Sequence, residues 1–227
     1  MLQASTMSRI NPTVASPRLE RVIRDAETLF LREGFLHLST AELAHRLSCS
    51  KRTLYAIAPD RDSFFELIIA RRLLRLNDNL VAAAQAAPDR ASAVTAILDA
   101  TIETFGAEAT RFLRDIMLFP GGVRLLHETE SARLDLLEHV IAAGVQDGAF
   151  GKVDPTVAAY AMFGAARRMS ETDFLAKAGI SWPQALTEMF RIVSYGLLAT
   201  DAPARRNPEP PPGLLKRRRP RRSAMKA

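Results

Sequence analysis

Two helix starts stand close together at Ser39 and Ser50, and the residues between them limit how the chain can fold. Ser39 precedes Glu42 at the spacing of a capping box, in which each residue satisfies an amide of the other's turn. Ala41, Leu43, Ala44 and Leu47 supply helical material before Ser48, Cys49 and Ser50 break the pattern. Ser50 can then cap a second helix, KRTLYAI, which Pro59 limits. Two short helices joined by a tight turn form the helix-turn-helix arrangement.

The surrounding sequence reads as helix throughout. Leu19, Val22, Ile23, Ala26, Leu29 and Phe30 follow the spacing of one apolar face, and Gly34 suits the left-handed position after its end. A long helix is expected from about residue 60 to 86, capped by Asp60 or Asp62, and Pro88 breaks it. Further helices are predicted over 89–105, 108–119 and about 124–146, with Pro120, Gly121 and Gly122 as a turn or kink. Asp154 and Pro155 open a helix expected to run to about 178, and Trp182 and Pro183 open a last one to about 200. No alternating strand and no internal repeat is visible, so the fold class is all-α. Four segments are expected: a loose arm over 1–17, a three-helix head over 18–65, a helical body over 66–200 and a disordered basic tail over 201–227.

Charge is divided along the chain. Residues 18–75 hold 11 Lys/Arg against 8 Asp/Glu, residues 76–199 hold 10 against 15, and residues 200–227 hold 9 against 2. A basic end on an acidic body suits contact with a polyanion, and it equally suits plain solubility. No apolar run reaches the ~18 residues of a membrane span. The first residues show no apolar secretory core, and the single Cys49 excludes an internal disulfide. A cytoplasmic location without membrane association is expected on those grounds.

A helix presented by a helix-turn-helix fits the major groove of DNA while its companion crosses the backbone. Ser50, Lys51 and Arg52 crowd the start of the second helix, and Thr53 and Tyr55 add hydroxyls for phosphates or base edges. Ser39 and Thr40 stand at the start of the first helix, and Arg61 at the start of the third. The stretch RVIRDAETLFLREGFLHLSTAELAHRLSCSKRTLYAIAPDRDSFFELI resembles the N-terminal domain of TetR-family transcriptional regulators. The features that carry the resemblance are the aromatic after Gly34, the SxxELA-like start, the S-K-x-T-L-Y run and the proline before an acidic helix start. The chain departs from the family pattern at Ser48 and Arg52, where glycine is usual or frequent, and at Ala56–Ile57–Ala58, where a His or Tyr and a Phe are frequent.

The resemblance implies a one-component regulator, with repression the expected sign, that binds a double-stranded DNA operator as a homodimer and is released by a small-molecule effector. It implies an N-terminal helix-turn-helix domain and a C-terminal helical domain for ligand binding and dimerisation. The implied DNA contacts are Ser39, Thr40, Ser50, Lys51, Arg52, Thr53, Tyr55 and Arg61. An effector pocket is expected among Phe105, Phe112, Met117, Phe119, Met162 and Phe163, with His127 or Arg167 as polar anchor; the same residues also suit ordinary core. Ala158, Ala159, Ala161, Met162, Gly164 and Ala165, with Phe190, Val193, Ser194, Leu197 and Leu198, are candidates for the dimer bundle or for the core within one chain. A helical interaction protein with a degenerate head is the alternative. The four histidines show no zinc spacing, no catalytic set is visible, and no metal, cofactor or enzyme activity is expected. The KRRRPRR tail has three readings: nonspecific DNA binding, contact with membrane or RNA, or solubilisation.

Overall fold

A computed structural model describes residues 16–106, 109–170 and 172–197, with no account of the side chains of 172 and 194–197. Ten helices and no strand occur among the described residues: α1 Pro17–Glu33, α2 Thr40–Arg46, α3 Lys51–Ile57, α4 Arg61–Ala86, α5 Arg90–Phe105, α6 Thr110–Leu118, α7 Pro120–Gln146, α8 Pro155–Met169, α9 Thr172–Ala178 and α10 Trp182–Leu197. The expected arm lies almost wholly outside the described residues, and the basic tail entirely so. No helix among the described residues is long and apolar enough to cross a membrane.

Local sequence explains most of the helix starts. Ser39 Oγ accepts from the Glu42 amide at 3.2 Å, while the Glu42 carboxylate accepts from the Ser39 amide at 2.7 Å. Ser50, Asp60, Asp89 and Asp154 each accept an amide three residues on, so α3, α4, α5 and α8 begin where a short polar side chain can replace a missing intrahelical partner. Pro17, Pro120 and Pro155 occupy first turns, where no amide is needed.

The α2–α3 turn carries a residue under strain. Ser48 has φ 47°, a left-handed conformation that glycine adopts without the Cβ penalty. Ser48→Gly is therefore expected to stabilise the protein by up to about 1 kcal/mol. A urea midpoint at or below that of the parent chain would show that the turn is not strained in solution.

Two expected boundaries are corrected. Pro120, Gly121 and Gly122 are not a turn but the first turn of α7, which begins earlier than residue 124. Gly122 allows α6 and α7 to meet closely: a Cβ there would lie 2.6 Å from the Ile116 carbonyl oxygen. The helix opened by Pro155 does not run to 178 but ends at Met169. There Ser170 Oγ donates to the Ala166 carbonyl and accepts from Trp182 Nε1, both at 2.9 Å. A hydroxyl bonded back to its own helix and held by an indole from α10 favours a break at that point.

The core is continuous from the first helices into the body. Phe30, Phe35, Phe64, Phe65, Phe112 and Phe119 form one aromatic cluster, with Phe30 and Phe35 stacked at 5.3 Å and Phe35 edge-on to Phe112 at 5.9 Å. Helix α1 packs on α4 and α6, α4 packs on α5 and α7, and α8 packs on α7 and α10. A buried carboxylate, Glu27 on α1, accepts from Arg71 at 3.3 Å and Arg75 at 2.8 Å on α4, fixing the angle between the two helices.

Candidate nucleic-acid interface and interior cavity

Leu43, Leu47 and Leu54 are buried, so α2 and α3 turn their apolar sides into the head. Lys51, Arg52 and Tyr55 then point to solvent, and Tyr55 is 54 % exposed. Their side chains make no hydrogen bond or ion pair with any described residue, in contrast to most of the cations on the body. This leaves two cationic groups and a phenol available on the outer side of α3.

The remaining residues of the expected DNA set are placed differently. Ser50 Oγ accepts from the Thr53 amide at 3.1 Å and lies 2.9 Å from Thr53 Oγ1, so both hydroxyls already serve the start of α3. Ser39 serves the capping box of α2, which also holds the exposed Glu42 carboxyl below its usual range through the Ser39 bonds. Thr40, Tyr55 and Arg61 rim one small crevice between α2, α3 and the start of α4. The Arg61 guanidinium pairs with Asp62 at 3.0 Å and lies 5.3 Å from the centre of the Phe65 ring, so its charge is partly neutralised. Of the departures from the family pattern, Ala58 is buried beside this crevice and Ala56 is exposed. The small residue at 58 therefore alters packing, and the one at 56 removes reach. Cys49 packs partly into the core, and burial raises its thiol above the usual range, away from thiolate chemistry.

Between the head and the body stands Asp115 of α6, 1 % exposed. One of its oxygens accepts from the Phe35 amide at 2.7 Å and the Leu36 amide at 3.1 Å, in the loop between α1 and α2. The other accepts from Arg114 at 3.0 Å. Gly34 allows this approach: its φ is +78°, and a Cβ there would lie 2.5 Å from Asp115 Oδ2. The same short helix sends Leu113 and Met117 into a cavity of the body. Helix α6 thus touches the head on one side and the cavity on the other.

That cavity measures ≈ 190 Å³ and is lined mainly by hydrocarbon from α4, α5, α6, α7, α8 and α10. Phe105, Met117, Met162, Phe163 and Arg167, expected from the sequence, line it together. Three other expected residues do not. Phe112 and Phe119 belong to the aromatic cluster shared with the head, because α6 turns them toward Phe35 and Phe65. His127 lies on the surface, 3.4 Å from Glu130, because it falls off the apolar side of α7.

Sequence reasoning missed Glu130, Arg133 and Trp182 in the cavity wall. The signal was present in α7: Leu126, Glu130, Arg133 and Leu137 recur at helical spacing, placing two charges on an apolar stripe. Among the described residues, no group of His, Cys, Asp and Glu side chains could hold a metal ion.

The expected dimer residues divide between two roles. Ala159 and Met162 are buried within the chain, and Met162 and Phe190 line the cavity. Ala158, Ala165 and Val193 pack against the core, while Ala161 and Gly164 are exposed. Beside those two, Val157 (67 % exposed) and Tyr160 (60 %) continue an outward stripe on α8, and Ile192 (69 %) stands out from α10. Ser194 and Leu197 lie where side chains are not described, and Leu198 lies outside the described residues.

No protein-family model matches the chain, and no curated protein matches it by sequence. Solved structures do match. A transcriptional regulator from Saccharomonospora viridis, solved in complex with choline, aligns with a TM-score of 0.68 at 15% identity over 80% of this chain and 98% of its own. A TetR-family regulator from Agrobacterium tumefaciens aligns at 0.65 and 12% identity over 80% and 98%. The TetR-family regulator PfmR from Thermus thermophilus aligns at 0.56 and 21% identity over 78% and 98%. The chain has the all-helical fold of the TetR-family transcriptional regulators, and at these identities the likeness is one of fold.

Proposed function

We propose that this chain is a one-component transcriptional regulator, a repressor in sign, that binds operator DNA as a homodimer and leaves it when a small molecule fills the cavity. The observation that carries the reading is the outer side of α3. Lys51, Arg52 and Tyr55 are exposed and unengaged on a helix whose start is fixed by Ser50 and whose inner side is fixed by Leu54. Such a helix keeps its orientation while presenting donors to phosphate and base edges. The likeness of fold to transcriptional regulators supports the same reading.

Two such helices read DNA when a dimer sets them about one helical turn apart, roughly 34–36 Å. The outward stripe Val157, Tyr160, Ala161 and Gly164 on α8, with Ile192 on α10, supports dimerisation through these helices. Small residues permit close approach, and exposed large apolar ones gain from being covered. The double substitution Tyr160→Glu and Ile192→Asp is expected to give a folded monomer, read as half the parent mass by light scattering. A variant that stays dimeric would move the interface elsewhere, and a parent chain that is already monomeric would contradict the dimer itself.

The connection between cavity and head runs through α6. A ligand pressing on Leu113 or Met117 acts on the helix that holds the Phe35 and Leu36 amides through Asp115. A ligand preferring one position of α6 shifts the population of head spacings. Footprinting of the DNA flanking the gene tests the reading. Two protected half-sites related by a twofold, lost on addition of effector, are expected; no protection, or a single site without symmetry, counts against it.

A further inference from the structure

We infer that the interior cavity takes an amphipathic organic anion, a compact monocarboxylate with an apolar body, and that Arg133 receives its carboxylate. The inference rests on the cavity being the effector site and gives that site a ligand class.

Arg133 is 8 % exposed, and only neutral groups accept from it: Asn77 Oδ1 at 3.1 Å, Thr129 Oγ1 at 3.2 Å and the Leu126 carbonyl at 3.5 Å. Its guanidinium lies 5.6 Å from the centre of the Phe163 ring, itself part of the cavity wall. No carboxylate lies within 4.0 Å of it among the described residues, although a buried cation is costly without one. Burial lowers its pKa to about 10, so it stays a cation at neutral pH.

The nearest competing charge is Glu130, one turn earlier on α7. Its carboxylate lies 3.8 Å from Arg167 and 3.4 Å from His127, two exposed side chains at the surface. Among the described residues of the wall, Arg133 and Arg167 are cationic and Glu130 anionic, so two cations face one anion there. One further negative charge balances the site. Asn77 and Thr129 hold the guanidinium in place, so little side-chain ordering remains to oppose binding.

Size and wall composition define the rest of the ligand. The cavity of ≈ 190 Å³ exceeds only modestly the ~150 Å³ of a dry engineered cavity that admits benzene. A ring or a short alkyl chain fits against Leu73, Leu76, Ile97 and Trp182. An ammonium ligand would gain from the aromatic rings but would face Arg133 directly.

Calorimetric titration of the full chain with octanoate, 1-octanol and octylammonium varies the head group on one apolar body. Octanoate is expected to bind about 10–100-fold more tightly than 1-octanol, the range for a hydrogen bond to a charged group. Arg133→Gln should remove that preference while keeping the binding of 1-octanol and the helical circular dichroism; Arg133→Lys should keep part of it. Equal or tighter binding of either other probe, no binding of any probe, or an octanoate preference that persists in Arg133→Gln would overturn the inference. If Arg133→Gln does not fold, the head-group series on the parent chain decides. The titration contains no DNA, so a chain that prefers octanoate but ignores every duplex keeps the ligand class and loses the regulator reading. A chain that binds its operator but prefers octylammonium does the reverse.

Discussion

Asp115→Ala is expected to lower the free energy of unfolding by about 3–5 kcal/mol, among the largest losses any single substitution should cause here. The carboxylate is buried, accepts from the Phe35 and Leu36 amides, and is held by Arg114. Alanine leaves the buried Phe35 amide and the half-buried Leu36 amide without an acceptor and a neighbouring guanidinium without its partner. Water cannot readily replace the carboxylate, because the loop is covered by the aromatic cluster of Phe35, Phe65, Phe112 and Phe119. Asp115→Asn keeps one acceptor oxygen and should recover much of the loss. Urea denaturation followed by circular dichroism measures both variants. An alanine variant with an unchanged midpoint would mean that the contact between α6 and the α1–α2 loop does not form in solution.

The second large effect concerns DNA. Arg52→Ala combined with Tyr55→Ala is expected to weaken operator binding by about 30-fold or more, taking each contact as worth roughly 1–3 kcal/mol. Both side chains are exposed and unengaged, so their removal should change the unfolding midpoint little and the dimer not at all. Lys51→Ala should act more weakly and lower the salt dependence of binding, as loss of one phosphate contact does. Full-strength binding by the double variant, or loss of its dimer, would count against the assignment of α3 as the reading helix.

The sequence made the start of the chain legible for a specific reason. Short polar caps such as Ser39, Ser50, Asp60 and Asp154 act within three residues of themselves, so local pattern and final geometry coincide. The outward placement of Lys51, Arg52 and Tyr55 followed from the inward period of Leu43, Leu47 and Leu54. Less legible were the features set by partners far along the chain. Phe112 and Phe119 looked like cavity residues, but the packing of α6 against the head turns them into another cluster. The break after Met169 depends on Trp182, which reaches Ser170 from a different helix. Asp115 was invisible as a bridge, because its partners are the Phe35 and Leu36 amides, which have no side-chain signature.

Fluorescence anisotropy on labelled duplexes tiling the intergenic DNA beside the gene tests the central claim most directly. The full chain should saturate one duplex at two chains per site, about a thousandfold more tightly than random-sequence DNA at the same salt. The Arg52→Ala, Tyr55→Ala variant should lose that preference. Equal affinity of the parent chain for every duplex, or identical curves for parent and variant, would contradict the account.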